Sequence, residues 1–161
     1  MDEMKNRRII VTRKEELTPA HKSEHEPYEY YKYEILKKSS ENRCCVSIYE
    51  IPPEKAAYPY HYHTANEEVF YILSGEGLLI TPDGNRALKP GDVVVCPPNE
   101  KGAHKIRNTS KTHNLVYLDV DTFNLPDVVY YPDSDKVGII SGGQPEGFFK
   151  TNSAVDYYEG E

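Results

Sequence analysis

The sequence predicts an all-β domain built as a sandwich or barrel of short strands. Runs of β-branched and aromatic residues recur along the chain and are separated by Pro, Gly, Asn and Asp, a pattern typical of such folds. No segment shows the 3.6-residue apolar period of an amphipathic helix. Two turn sequences, Pro82-Asp83-Gly84-Asn85 and Lys89-Pro90-Gly91-Asp92, predict a hairpin loop and a tight reversal between strands.

The 161 residues of the chain fit one domain, since about 150 residues per domain is usual. Residues 1–27 are charged and contain one short apolar patch, Ile9 to Val11, so we expect an N-terminal arm that holds at most one edge strand. The barrel is expected at 28–120, with its motif core at 44–120, and a tail at 121–161 that packs on the barrel. Eight strands are expected in the barrel, at 28–36, 44–51, 58–63, 67–73, 77–81, 92–96, 104–108 and 114–120.

The charge and apolar content of the chain exclude several classes of partner. A formal net charge of -7 argues against nucleic acids and acidic membranes. No apolar run approaches the about 18 residues of a membrane span, and no signal peptide is evident at the N-terminus. We therefore expect a soluble, cytoplasmic protein. The 3 cysteines, Cys44, Cys45 and Cys96, have no CxxC spacing and are expected to be free thiols.

The candidate chemistry of the chain begins at His61-Tyr62-His63. Side chains alternate between the two faces of a strand, so both imidazoles point to the same side. Glu68 follows after a short turn, and it shares a strand face with Phe70 and Ile72. If these two apolar side chains point into the core, Glu68 does so as well.

A third imidazole, His104, opens a further strand. His104, Ile106 and Asn108 share one face of it, whereas Lys105 and Arg107 share the other. Because the two cations face water, His104 faces the core. Burying three imidazoles and a carboxylate is costly without partners, and one divalent metal ion satisfies all four.

With these residues, the sequence resembles the cupin superfamily. The first cupin motif, G(x)5HxH(x)4E(x)6G, is matched by His61, His63, Glu68 and Gly75, although no glycine stands at its first position. The resemblance covers roughly residues 44–120.

The second cupin motif, G(x)5PxG(x)2H(x)3N, is matched by Gly91, Pro97, His104 and Asn108. Asn99 stands where glycine is usual, and four residues rather than two separate it from His104. Asparagine tolerates positive φ better than most residues. We therefore expect a longer loop that leads into an unshifted strand.

The resemblance implies a double-stranded β-helix, or jelly-roll barrel, with a metal ion inside one mouth. Its ligands would be His61, His63, Glu68 and His104, and the donor types suit divalent Mn, Fe, Ni or Zn. Up to two open positions on the ion would then take a small-molecule substrate or ligand. The segments at 130–133 and 147–150 resemble the tails of small single-domain bacterial cupins that have no assigned reaction.

Three functions are compatible with such a site. The first is a metal-dependent isomerase, lyase or oxygenase that acts on a small sugar or carboxylic acid. The second is a small-ligand binding or sensing module without turnover, and the third is a metal-free structural protein. Catalytic residues are not assigned by the sequence, but Tyr117 and Asp119 are candidates for groups beside the site, on a strand whose facing is open.

An apolar outer surface is also expected, because residues that alternate with the ligands point away from the core. Its members are Tyr58, Tyr60, Tyr62, Val69, Tyr71 and Leu73. Either the chain's own arms cover this surface or a second copy does. We expect a homodimer with a two-fold interface.

Overall fold

The computed structural model describes residues 8–39, 41–142 and 145–161, and it forms a barrel of two facing walls of antiparallel strands. The strands are β1 (Ala20–His25), β2 (Tyr28–Leu36), β3 (Cys44–Ile51), β4 (Tyr62–His63), β5 (Glu68–Ser74), β6 (Gly77–Thr81), β7 (Gly84–Leu88), β8 (Val93–Cys96), β9 (Lys105–Asn108), β10 (Leu115–Thr122), β11 (Asp127–Tyr131), β12 (Lys136–Ile140) and β13 (Pro145–Lys150).

One wall is a six-stranded sheet in the order β1-β2-β3-β10-β5-β8. The opposite wall joins a four-stranded sheet, β13-β12-β11-β4, to a three-stranded sheet, β7-β6-β9. The join is a single antiparallel bridge between His61 and His104, which precede β4 and β9. The two walls together make the expected double-stranded β-helix, and two predicted metal ligands lie at the seam of the second wall.

The interior follows from the alternation of side chains along the central strands. In β3 the odd-numbered residues from Cys45 to Ile51 are buried, and in β10 Leu115, Tyr117 and Asp119 are buried. The core cluster consists of Tyr49, Ile51, Ala57, Phe70, Ile72, Leu79, Leu88, Val94, Cys96, Ile106, Leu115 and Tyr117. Burying these side chains supplies the main driving force for closing the barrel.

The predicted turns are confirmed. Gly84, at φ 113°, opens β7 directly after the Pro82-Asp83 turn, so β6 and β7 form a hairpin. In the second turn the backbone N–H of Asp92 donates to the carbonyl of Lys89 at 3.1 Å, and Gly91 has φ 92°. The sequence did not predict the second strand of the hairpin, β7, because its residues Gly84 to Leu88 lack β-branched side chains.

The strand expected at 58–63 is wrong in its first half. Only Tyr62–His63 forms a strand, because Pro59 has no N–H to donate to a ladder. The hydroxyl of Tyr58 lies 2.8 Å from the hydroxyl of the buried Tyr49. Of the predicted outer surface, Tyr58, Tyr71 and Leu73 are exposed, at 40%, 42% and 42%.

Both ends of the chain contribute strands to the sheets. In the segment expected as an arm, Ala20–His25 forms the edge strand β1, while Ile9 to Val11 are exposed. In the segment expected as a tail, β11 pairs with β4, and β12 and β13 extend the same sheet. The tail thus builds part of the second wall rather than lying over a finished barrel.

Cys44, Cys45 and Cys96 are free thiols, as expected, and Cys45 and Cys96 are buried whereas Cys44 is partly buried. Among the described residues we find no helix of the length and apolarity that crossing a bilayer requires.

Candidate metal centre

His61 and His104 lie opposite each other across the seam of the second wall. The backbone N–H of each donates to the carbonyl of the other, at 3.1 and 2.9 Å. The Nδ1 atom of His61 lies 2.8 Å from the carbonyl oxygen of Pro59, and that of His104 lies 2.9 Å from the carbonyl of Gly102. A carbonyl oxygen only accepts, so each Nδ1 carries the hydrogen and each Nε2 presents a lone pair.

His63 is oriented by a carboxylate instead. Its Nδ1 lies 2.5 Å from Oδ2 of Asp127, a fully buried residue at the start of β11. The other oxygen of Asp127 accepts from the backbone N–H groups of Thr64 and Ala65, at 3.1 and 2.9 Å. Asp127 therefore fixes both the imidazole and the turn that leads to β5.

Glu68, at the start of β5, is the point on which the three imidazoles converge. Its Oε2 lies 3.3 Å from Nε2 of His104 and 3.8 Å from Nε2 of His61, and its Oε1 lies 3.6 Å from Nε2 of His63. Ligands at about 2.1 Å from a common ion lie about 3.0 to 3.4 Å apart. The distances are therefore close to those of a coordination sphere.

The chemistry of these donors fits a cation. Three Nε2 lone pairs and a carboxylate are all acceptors, and they meet in a site where water is scarce. Without a proton or a metal ion between them, these groups repel one another. His61, Glu68 and His104 form a group that could hold a metal ion, with candidate ligand atoms within 4.8 Å of one another. His63 adds a fourth donor, aimed at the second oxygen of Glu68.

The pKa values of His104 and His63 are shifted in opposite directions. Burial lowers the pKa of His104, despite the nearby charge of Glu68, so this imidazole stays neutral and available as a ligand. Burial also opposes charge on His63, but the hydrogen bond to Asp127 and the charge of Glu68 outweigh it and raise the pKa. Burial disfavours the charged form of Glu68, yet a hydrogen bond from His61 and the charge that the surrounding histidines carry when protonated hold its pKa well below the usual range.

A 3-10 turn at Glu100–Gly102 presents His104, and it accommodates the longer loop predicted from the second motif. Asn99, which precedes the turn, has φ 73°, the positive φ expected where glycine is usual. Gly102 packs against Pro97 so closely that an added Cβ would lie 1.7 Å from the Pro97 carbonyl oxygen. The carbonyl that orients His104 therefore depends on a residue without a side chain.

We expect Gly102→Ala to destabilise the fold by about 2 kcal/mol or more, since the clash is with backbone that cannot rotate away. It should also weaken metal binding by moving His104. Gly142→Ala is the matched control, because a Cβ at Gly142 meets open space. Equal melting temperatures for the two variants would contradict this account of the turn.

The sequence named Asp119 as a candidate beside the site, but it did not reveal Asn66, Asp121 or Asp127 there. Asp127 and Asn66 brace the turn before Glu68, and the Asn66 Nδ2 donates to Asp127 Oδ2 at 2.9 Å. Asp119 is buried, so its side chain faces the interior of the barrel. Asp121 lies two residues further along β10. Burial, reinforced by their mutual proximity, raises the pKa of Asp119 well above its usual value.

Fold and site together define a double-stranded β-helix with a histidine and carboxylate cluster inside the barrel. Residues 47–121 match the Cupin_2 family model, described as a cupin domain. This match and the neighbouring structures below are consistent with the cupin superfamily, which the two motifs resemble. A curated relative, an uncharacterized protein of Methanocaldococcus jannaschii, is 42% identical over 48 residues, which are 30% of this chain and 37% of that protein. The matched segment thus spans little more than a third of that relative's length.

Two solved structures illustrate the similarity of fold. A protein of Acidithiobacillus ferrooxidans, provisionally assigned as a sugar phosphate isomerase, is 25% identical, with a TM-score of 0.65 over 78% of this chain and 80% of that chain. A predicted oxalate decarboxylase of Thermotoga maritima is 24% identical, with a TM-score of 0.61 over 71% of this chain and 100% of that chain.

Proposed function

We propose that this chain is a metal-dependent cupin that acts on a small sugar or carboxylic acid as an isomerase, lyase or oxygenase. The observation that carries the proposal is the convergence of three Nε2 lone pairs on Glu68, with each Nδ1 fixed by a hydrogen-bond acceptor. Similarity to the Acidithiobacillus protein supports a sugar as one class of substrate. The ligands we propose are His61, His63, Glu68 and His104, and the ion is divalent Mn, Fe, Ni or Zn.

The role of the proposed ligand residues is to hold the metal ion and to orient it toward the substrate. A divalent ion, when bound, supplies a Lewis acid that polarises a substrate oxygen. The ring of Phe70 lies 5.3 Å from that of His104, and the ring of Tyr131 lies 5.9 Å from that of His61. These aromatic contacts limit rotation of the imidazoles, so the donors stay in place before the ion arrives.

The pocket beside the site controls access to it. Its walls come from the six-stranded sheet, the four-stranded sheet and the segment between β10 and β11, and its lining residues include His63, Glu68, Asp127, Phe123 and Leu125. Phe123 and Leu125 shield one side of the polar centre from bulk water, which strengthens interactions between charges inside.

Turnover and metal content test the proposal together. Protein purified without chelator or nickel resin should contain about one equivalent of a divalent metal by elemental analysis. The loaded protein should convert at least one member of a panel of sugars, sugar phosphates and small carboxylic acids, and a chelator should abolish the conversion. A tightly bound, co-purifying small molecule with no turnover across the panel would favour a binding or sensing module instead.

We also propose that the protein is a homodimer whose interface includes the outer face of β5 and β8. Tyr71, Leu73, Val93 and Val95 are 42%, 42%, 62% and 60% exposed and form a continuous apolar patch on the six-stranded sheet. Exposed apolar patches of this kind often mark sites of protein–protein interaction.

Light scattering at micromolar concentration should give twice the chain mass of 18.4 kDa. Val95→Lys should shift the mass to that of the monomer, because a charge in an apolar interface is left without a partner. Val155→Lys, at another exposed valine outside this face, serves as the control. A monomer mass for the wild-type protein would contradict the dimer.

A further inference from the structure

The N-terminal arm is fixed to the outer face of the six-stranded sheet by a small polar cluster. Lys14 opens a 3-10 turn and contacts the carboxylate of Glu50 on β3. The ammonium group of Lys14 lies 5.5 Å from the ring centre of Tyr33 on β2, and the Tyr33 hydroxyl donates to Glu50 at 3.3 Å. Glu50 points outward, since its neighbours in β3 are buried. The base of the arm therefore lies on the same face of the sheet as the apolar patch of β5 and β8.

The residues just before this turn are apolar and exposed. Ile9 and Val11 are 94% and 89% exposed, and Ile10 between them is 58% exposed. Their own chain leaves these three large aliphatic side chains mostly in water, which is unfavourable. A second surface that covers them would therefore stabilise the arm.

The apolar face of the six-stranded sheet extends from β3 to β8. Its outward positions are aliphatic or aromatic, namely Val46, Ile48, Val69, Tyr71, Leu73, Val93, Val95, Val116, Leu118 and Val120. The residues of β3 and β10 in this set are partly buried, whereas both valines of β8 are exposed. The most exposed part of the face is thus the edge farthest from the base of the chain's own arm.

Charge distinguishes the arm from the rest of the molecule. From Lys5 to Lys14 the sequence has five cations and no acidic residue, although the whole chain has a net charge of -7. Exposed carboxylates lie at both ends of β5, with Glu67 directly before the strand and Glu76 just beyond it. Neither forms an ion pair with a residue that the structure describes. A basic arm is therefore attracted to this face, whereas two arms repel each other.

We propose that the arm of one copy lies on the β5 and β8 face of a second copy. Ile9 and Val11 pack against the apolar side chains of that face, and the cations of the arm lie toward its two carboxylates. This inference rests on the proposed homodimer and names the segment that completes its interface. A two-fold axis repeats the contact, so both apolar patches and both arms are covered at once.

Dissociation of the dimer, followed by light scattering over a dilution series, tests the contact. Val11→Asp should raise the dissociation constant about tenfold or more, because it places an unpaired charge in an apolar interface. Val155→Asp is the matched control, at an exposed valine that belongs to neither surface, and should leave the constant unchanged. Since Val11 is exposed in the single chain, Val11→Asp should not impair folding, and circular dichroism of both variants checks this.

Cross-linking of two different variants shows which chain the arm contacts. Chains with Val11→Cys are mixed with chains with Val95→Cys and treated with a short bismaleimide. The native Cys45 and Cys96 are buried and Cys44 is partly buried, so the introduced thiols are the more accessible ones. We expect a linked pair with one chain of each kind, joined between positions 11 and 95 in peptide mass spectra. Val155→Cys in place of Val11→Cys should give no such pair.

The results distinguish failure of the arm contact from failure of the homodimer. A wild-type protein of monomer mass overturns both. A wild-type dimer whose dissociation constant is unchanged in Val11→Asp overturns the arm contact alone, and so does the absence of the mixed pair. A chain with both cysteine substitutions that links positions 11 and 95 within itself overturns it as well, because the arm then covers its own sheet.

Discussion

Glu68→Gln is expected to remove metal binding while leaving the metal-free protein folded. Glu68 supplies the only charge among the four proposed ligands, and its oxygens lie 3.3 to 3.8 Å from the three Nε2 atoms. Losing it should reduce affinity for a divalent ion by more than the about 10- to 100-fold typical of outer hydrogen-bond partners. The metal-free variant should still fold, because glutamine has the size of glutamate and its amide can donate to the imidazole lone pairs.

The matched control for this substitution is its neighbour, Glu67→Gln. Glu67 is exposed and its side chain is not among the converging groups, so this variant should bind metal as the wild type does. Titration of metal-free protein with Mn²⁺ or Zn²⁺ gives the affinities, and the rise in melting temperature on adding metal gives an independent reading. A Glu68→Gln variant that retains one equivalent of metal with wild-type affinity would contradict the proposed ligand set.

Asp127→Asn is expected to have the largest effect on stability of any single substitution at the site. The carboxylate accepts from His63, from two backbone N–H groups and from Asn66, and it is 1% exposed. Asparagine keeps one acceptor but loses the charge, so we expect a loss of about 2 to 3 kcal/mol in the free energy of unfolding. Metal affinity should fall about 10- to 100-fold as His63 loses its orientation.

Urea unfolding of the metal-free protein measures the stability change, with Asp133→Asn as the control at an exposed aspartate. If both variants lose the same stability, Asp127 does not brace the site. Metal titration of both variants completes the comparison. Retention of wild-type affinity in Asp127→Asn would show that His63 does not depend on this contact.

Asp127 also predicts how stability changes in acid. Burial disfavours its charge, but the hydrogen bonds from His63 and Asn66 hold its pKa at about 2, below the ordinary 3.8. A lowered pKa in the folded state stabilises the protein above the unfolded value, and this contribution disappears as the pH falls from about 4 to about 2. The Asp127→Asn variant should show a flatter decline over that interval in the free energy of unfolding.

The sequence predicted those features of the site that depend on the spacing of residues within one strand. The i, i+2 spacing of His61 and His63 requires a shared strand face, and the even spacing of Glu68, Phe70 and Ile72 ties the carboxylate to apolar neighbours. The structure brings the three side chains of His61, Glu68 and His104 together as those patterns indicate. The predicted strand failed over residues 58–60, where Pro59 cannot donate to a ladder.

What the sequence did not predict depends on pairing between distant segments. Asp127 reaches His63 across 64 positions of the chain, and the register of β11 against β4 sets that contact. No motif spacing extends to residue 127. The place of Asp119 and Asp121 beside the site likewise follows from β10 lying between β3 and β5, an order that alternation within one strand does not reveal.

Anomalous diffraction from crystals of the metal-loaded protein tests the metal centre most directly. Data collected at the absorption edge of the retained metal should show one peak within about 2.0 to 2.3 Å of the Nε2 atoms of His61, His63 and His104 and of a Glu68 oxygen. A peak elsewhere in the barrel, or one that His104 does not reach, would contradict the account.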